Sequence, residues 1–166
     1  MATQNILTTL KAEHDQLKEL FSQLKDTTDR ASKKRSDLVD RILAGLIPHA
    51  KWEENVFYPE FLKRADRDGQ QTHAEAVAEH RAVEMRVIPD VLNTDVSTPE
   101  FAGRSKVFGE FVEHHAKEEE KTMFKMAKEL FSSEELARLD DDYRRWTASA
   151  EGVAVVNKAI AEFQAG

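Results

Sequence analysis

His49-Ala50-Lys51-Trp52-Glu53-Glu54 and His115-Ala116-Lys117-Glu118-Glu119-Glu120 are two copies of one motif, set 66 residues apart. Upstream, at the same offset, stand Ala12-Glu13-His14 and Ala78-Glu79-His80. The interval from His14 to His49 is 35 residues, and so is that from His80 to His115. The chain therefore carries a duplicated helix pair, each copy with the same polar residues in register. Packing alone explains so polar a repeat poorly.

The surrounding sequence has the helical period. Ile6, Leu10, Leu17, Phe21 and Leu24 share one stripe, and Val39, Ile42, Leu46, Phe57 and Phe61 share another. Val77, Val83, Val87 and Val91 recur in the third segment, and Phe108, Phe111, Val112, Met126 and Leu130 in the fourth. No stretch alternates with period two for long enough to make a strand. Asp68-Gly69 separates two segments, and Thr72 with Glu75 has capping-box spacing, as does Ser132 with Glu135. Thr98-Pro99 reads as an N-cap and first helical residue. These signals predict helices over 4–29, 36–64, 71–93, 99–130 and 133–148. In residues 149–166, Val153, Val156, Ile160 and Phe163 suit either a short packed helix or a frayed terminus. The expected fold is all-α: an antiparallel up-down-up-down four-helix bundle over 1–131, with an additional C-terminal helix in an extension, 132–166, packed on or trailing it.

Bulk properties narrow the function. The formal net charge of −7 repels a phosphate backbone, so nucleic acid is not an expected partner. No apolar run is long enough to span a membrane, and Met1 to Asn5 lacks the pattern of a secretory signal, so a cytoplasmic location is expected. Cysteine is absent, which leaves nitrogen and oxygen as the donors for any metal.

The repeated polar residues fall inside the apolar stripes. His14 lies between Leu10 and Leu17, and His80 between Val77 and Val83. His49 follows Leu46 by three residues and Glu53 follows His49 by four; His115 follows Val112 by three and Glu119 follows His115 by four. Four imidazoles and two carboxylates thus point into the expected core. An unpaired buried carboxylate costs several kcal/mol, on the order of a domain's net stability. The group must therefore be hydrogen-bonded to itself, as a polar layer fixing bundle register, or bound to metal. A His and a Glu at i, i+4 share one helix face and can reach one ion or adjacent ions. Repeated twofold, the set gives each of two metals two imidazoles, with Glu53 and Glu119 able to bridge.

The pattern His…His-x-x-x-Glu…His…His-x-x-x-Glu, one element per helix, resembles the hemerythrin or HHE cation-binding family over about residues 5–130. The resemblance implies a di-iron centre in an antiparallel bundle, with His14, His49, Glu53, His80, His115 and Glu119 as ligands and two iron ions, oxo- or hydroxo-bridged. Manganese and zinc accept the same donors. Oxygen-carrying members usually place a further His four residues before that of the third helix; here that position is Ala76, and Glu84, four after His80, is the candidate replacement. The site looks closer to the four-His, two-Glu bacterial proteins linked to nitric-oxide stress, without the cysteine-bearing domain those often carry. The implied ligand is a small molecule: O2, peroxide or nitric oxide. A di-iron oxidoreductase with peroxide-decomposing, ferroxidase or nitric-oxide activity fits, and so does a non-enzymatic protein that binds, stores or senses O2 or iron. The ferritin-like signature Glu-x-x-His is absent.

Overall fold

The computed structural model describes residues 4–165; residues 1–3, part of the stretch read for a secretory signal, and residue 166 lie outside the described residues. The fold is a helical bundle without strands among the described residues. Helix α1 is Ile6–Lys25. Helix α2 runs Ser32–Trp52, passes through one π turn at Glu53–Phe57 and continues as Tyr58–Arg64. Helix α3 is built alike, Arg67–Ala82, a π turn at Val83–Val87, then Ile88–Leu92. Helix α4 is Pro99–Glu118, a π turn at Glu119–Met123, then Phe124–Leu130. Two further helices follow, α5 at Ser133–Ala148 and α6 at Ala150–Ala165.

Side-chain caps close several helix starts, although Thr72 and Glu75 lie inside a helix rather than at its start. Asn5 and Ser132 close capping boxes, and Thr98 caps α4 with Pro99 in the first turn. The start of α3 differs from the sequence reading. Asp66, in extended conformation, accepts from the Gly69 amide, so the helix begins at Arg67 and Asp68-Gly69 lies in its first turn. A Cβ on Gly69 would stand 2.7 Å from Ala65 Cβ, so that glycine serves a close approach rather than a break. Nor does Pro48 end its helix; α2 runs through it.

The bundle packs α1 against α2 and α4, and α3 against the same two helices. The C-terminal segment holds two helices, the second being the packed alternative for residues 149–166: α5 lies on α1, and α6 lies on α2 and the end of α3. Gly152 permits the tight α5–α6 corner, since a Cβ there would stand 2.0 Å from the Trp146 carbonyl oxygen. Ala159 and Phe163 of α6 are buried with Leu38, Val39, Val91 and Phe101, so the tail is an integral packing element. Several stripe residues, among them Phe21, Val77, Val87, Met126 and Leu130, are only partly buried. Leu46 is only partly buried while Leu43 and Ile47 enter the core, and Phe111 is exposed.

The core is two apolar clusters. Leu17, Ile47, Val83 and Val112 belong to one, and Leu10, Phe57, Ala76 and Met123 to the other. Each bundle helix crosses from one cluster to the other, and at each crossing it carries a histidine. The polar residues thus form a layer across the middle of the bundle.

Candidate metal centre

His14, His49, His80, Glu53 and Glu119 are buried, and His115 is nearly so. His14, His49, Glu53 and Glu119 place one donor atom each within 4.8 Å of one another; Glu53, His80 and His115 do the same. Glu53 is common to both groups, with Oε1 3.0 Å from His49 Nε2 and Oε2 3.4 Å from His80 Nε2. Glu119 also lies between the pairs, its Oε2 3.3 Å from His14 Nε2 and 4.0 Å from His115 Nε2.

A second ring of carboxylates fixes the imidazoles. Glu120 lies 2.9 Å from His14 Nδ1, Glu13 2.7 Å from His49 Nδ1, Glu54 2.9 Å from His80 Nδ1 and Glu79 2.5 Å from His115 Nδ1. Glu13 and Glu79 are equivalent under the internal repeat, as are Glu54 and Glu120. An ionised carboxylate only accepts, so each Nδ1 donates its proton there, and Nε2 is the ring nitrogen left facing the interior. Those Nε2 atoms converge. His14 and His49 bring their Nε2 atoms to 3.2 Å, and His80 and His115 to 3.0 Å. Glu53 Oε1 and Glu119 Oε2 are buried beside them and accept no hydrogen bond among the described residues. Acceptors facing acceptors repel unless positive charge sits between them. A span near 3 Å suits two donors that each stand about 2.1 Å from a single ion. The donor set fits two cations.

The field agrees. Burial alone would lower the His49 pKa, but Glu53 and Glu13 raise it well above its ordinary value; His115 is raised likewise against its burial, by Glu79 and Glu119. Burial pushes the Glu119 carboxyl up, and the facing His14 with the charges of His115 and His49 brings it far below the usual carboxylate range. The site stores negative charge that attracts protons or metal.

Tyr58 is the residue the sequence did not place. Its hydroxyl lies 3.1 Å from His80 Nε2 and 3.4 Å from His115 Nε2, and donates to Glu119 Oε1 at 2.9 Å. Burial, then Glu119 and Glu53, push its pKa well above the ordinary value, so without metal the phenol stays protonated. Its counterpart in the repeat is Phe124, which stacks on His14 with centroids 6.0 Å apart. The halves of the centre are therefore inequivalent.

The remaining candidates sort plainly. Glu84 joins neither donor group; Lys51 Nζ holds its carboxylate at 2.7 Å. Glu120 is the His14 partner. His114 is exposed, so His115 and Glu119 are the inward pair of that helix. His73 meets the edge of Tyr58 at 6.1 Å and lies outside both groups.

The fold and site define an all-helical protein with buried, carboxylate-oriented imidazoles able to hold cations. Residues 5–127 match the hemerythrin HHE cation binding domain, and the chain belongs to that family. A structure of a hemerythrin HHE cation binding domain-containing protein from Mycobacterium kansasii superposes with a TM-score of 0.75 at 24% identity, covering 95% of this chain and 99% of that one. A protein of Nostoc sp. described as a DNA nickase is 25% identical over 141 residues, or 84% of this chain; the chain spans 38% of that relative's length. No helix among the described residues is long and apolar enough to cross a membrane.

Proposed function

We propose that the chain holds two iron ions, one bound by His14 and His49 and the other by His80 and His115, with Glu53 and Glu119 bridging. One observation carries this reading: four imidazole Nε2 atoms and two carboxylate oxygens that accept no hydrogen bond meet in the buried middle layer of the bundle. Tyr58 adds an oxygen donor to the His80–His115 half in place of a fifth histidine, and Glu84 stays with Lys51.

Bound iron would supply electrons, one per ion, to a small molecule such as O2, peroxide or nitric oxide. The chain's own residues set the conditions. Glu13, Glu54, Glu79 and Glu120 hold the ring tautomers and raise the basicity of Nε2. The two apolar clusters exclude water above and below. The Tyr58 hydroxyl, which donates to Glu119 Oε1 at 2.9 Å, would release that proton when its oxygen serves as a metal donor. A redox role on small molecules is therefore the leading reading, and reversible binding of O2 or iron is the alternative. Nucleic acid stays outside it, because a net charge of −7 disfavours a phosphate backbone.

Metal analysis after anaerobic iron loading tests the binding step. Two irons per chain in the native protein, and loss of iron in Glu53→Ala, are expected; a chain that takes up none contradicts the proposal. Stopped-flow spectra of the reduced, loaded protein against O2, peroxide and nitric oxide then separate the readings. Immediate oxidation marks redox chemistry, and a stable reversible adduct marks carriage.

A further inference from the structure

Two cavities reach the centre from different sides of α4. The larger, about 670 Å³, lies between α1 and α4 and touches His14 and Glu120. Its walls carry Lys11, Lys18, Lys25, Arg35, Lys106 and Lys117 against four acidic residues. The smaller, about 230 Å³, lies between α3 and α4 and ends on His115 and Glu119. Its lining includes Glu75, Glu79, Glu118, Glu119 and His114 and no lysine or arginine. Burial grades inward along it. Glu75, His114 and Glu118 are exposed, Glu79 is half-buried, and Glu119 is buried with an unpartnered Oε2 at the floor.

We infer that the smaller cavity is the loading route for divalent cations. Glu75, Glu118 and His114 capture the ion at the mouth, and Glu79 hands it to Glu119 and His115. This rests on the two-metal reading above. A narrow passage lined by one sign of charge concentrates counter-ions and raises their on-rate by a factor on the order of 10 to 1,000. The wider cavity, with its excess of lysine, repels the same ion. The mouth is a path rather than a resting place, because its carboxylates are exposed while Glu119 below is buried and its Oε2 accepts no hydrogen bond.

The test uses the metal-free full chain and Co2+ as probe, its uptake followed by d–d absorption and its end point by metal analysis. Glu75→Gln with Glu118→Gln should slow uptake about tenfold, weaken its dependence on ionic strength, and leave the final stoichiometry unchanged. Asp141→Asn with Asp142→Asn removes the same charge from the exposed face of α5 and should load at the native rate. Native-rate loading by the first variant overturns the route. So does equal slowing in both variants, which is net charge alone, or a lower end point in the first, which makes its residues ligands. A native chain that binds no cobalt overturns the route together with the metal reading.

Discussion

Tyr143, on α5, donates its hydroxyl to Glu13 Oε2 at 2.9 Å, and the same oxygen lies 2.7 Å from His49 Nδ1. The ring of Tyr143 packs on Trp52 with centroids 5.0 Å apart. A residue beyond the matched span 5–127 therefore bears on the orientation of a proposed ligand.

Tyr143→Phe keeps the ring and removes the donor. Iron stoichiometry should be retained, while affinity at the His14–His49 position falls about threefold to tenfold, less than for an outer carboxylate itself. Chelator competition reads the affinity, and Mössbauer spectra should show one iron altered and the other unchanged. Identical chelator curves for variant and native protein would remove Tyr143 from the account.

The outer carboxylates should matter more. Glu79→Gln leaves an amide that no longer forces the proton onto His115 Nδ1. Metal affinity should fall about 10- to 100-fold with the helical spectrum intact. Glu13→Gln should do the same at His49. Native affinity in both variants would mean that the ring orientations do not depend on these contacts.

Metal should stabilise the bundle. A ligand bound only by the native state adds roughly 4 kcal/mol at a thousandfold excess over its dissociation constant. The iron-loaded protein should therefore melt well above the chelated one, and the gap should shrink in Glu119→Ala. Coincident melting curves would contradict a cation held in the native layer.

Gly152→Ala probes the tail. Its Cβ meets backbone, which yields less readily than a side chain. A loss of about 1–3 kcal/mol is expected, read as a lower Tm, with iron stoichiometry retained. A native Tm would show that α6 reseats without cost.

The bundle and the inward-facing ligand candidates were legible because the repeat puts every copy in register and the stripes have helical period. Less legible were residues whose role depends on how helices meet. Glu13 and Glu120 adjoin His14 and Glu119 in sequence, and a helical wheel turns each about 100° from its neighbour, toward solvent. In the bundle that direction faces the next helix, where each meets an imidazole of another segment. Tyr58 was hidden by backbone. Five residues after Glu53, it stands roughly 140° off that face on an α-helix. The π turn bonds the Tyr58 amide to the Glu53 carbonyl and absorbs the extra residue, which returns the side chain to the centre. Pro59, next in sequence, hints at an irregular ladder, but α4 makes the equivalent turn with no proline near it.

Anomalous diffraction at the iron edge, from crystals of the anaerobically loaded protein, would locate the two ions. Two peaks are expected, one against Nε2 of His14 and His49 and one against Nε2 of His80 and His115, with Glu53 touching both. Absence of both peaks, with the six side chains bonded only to one another, would contradict the two-iron reading.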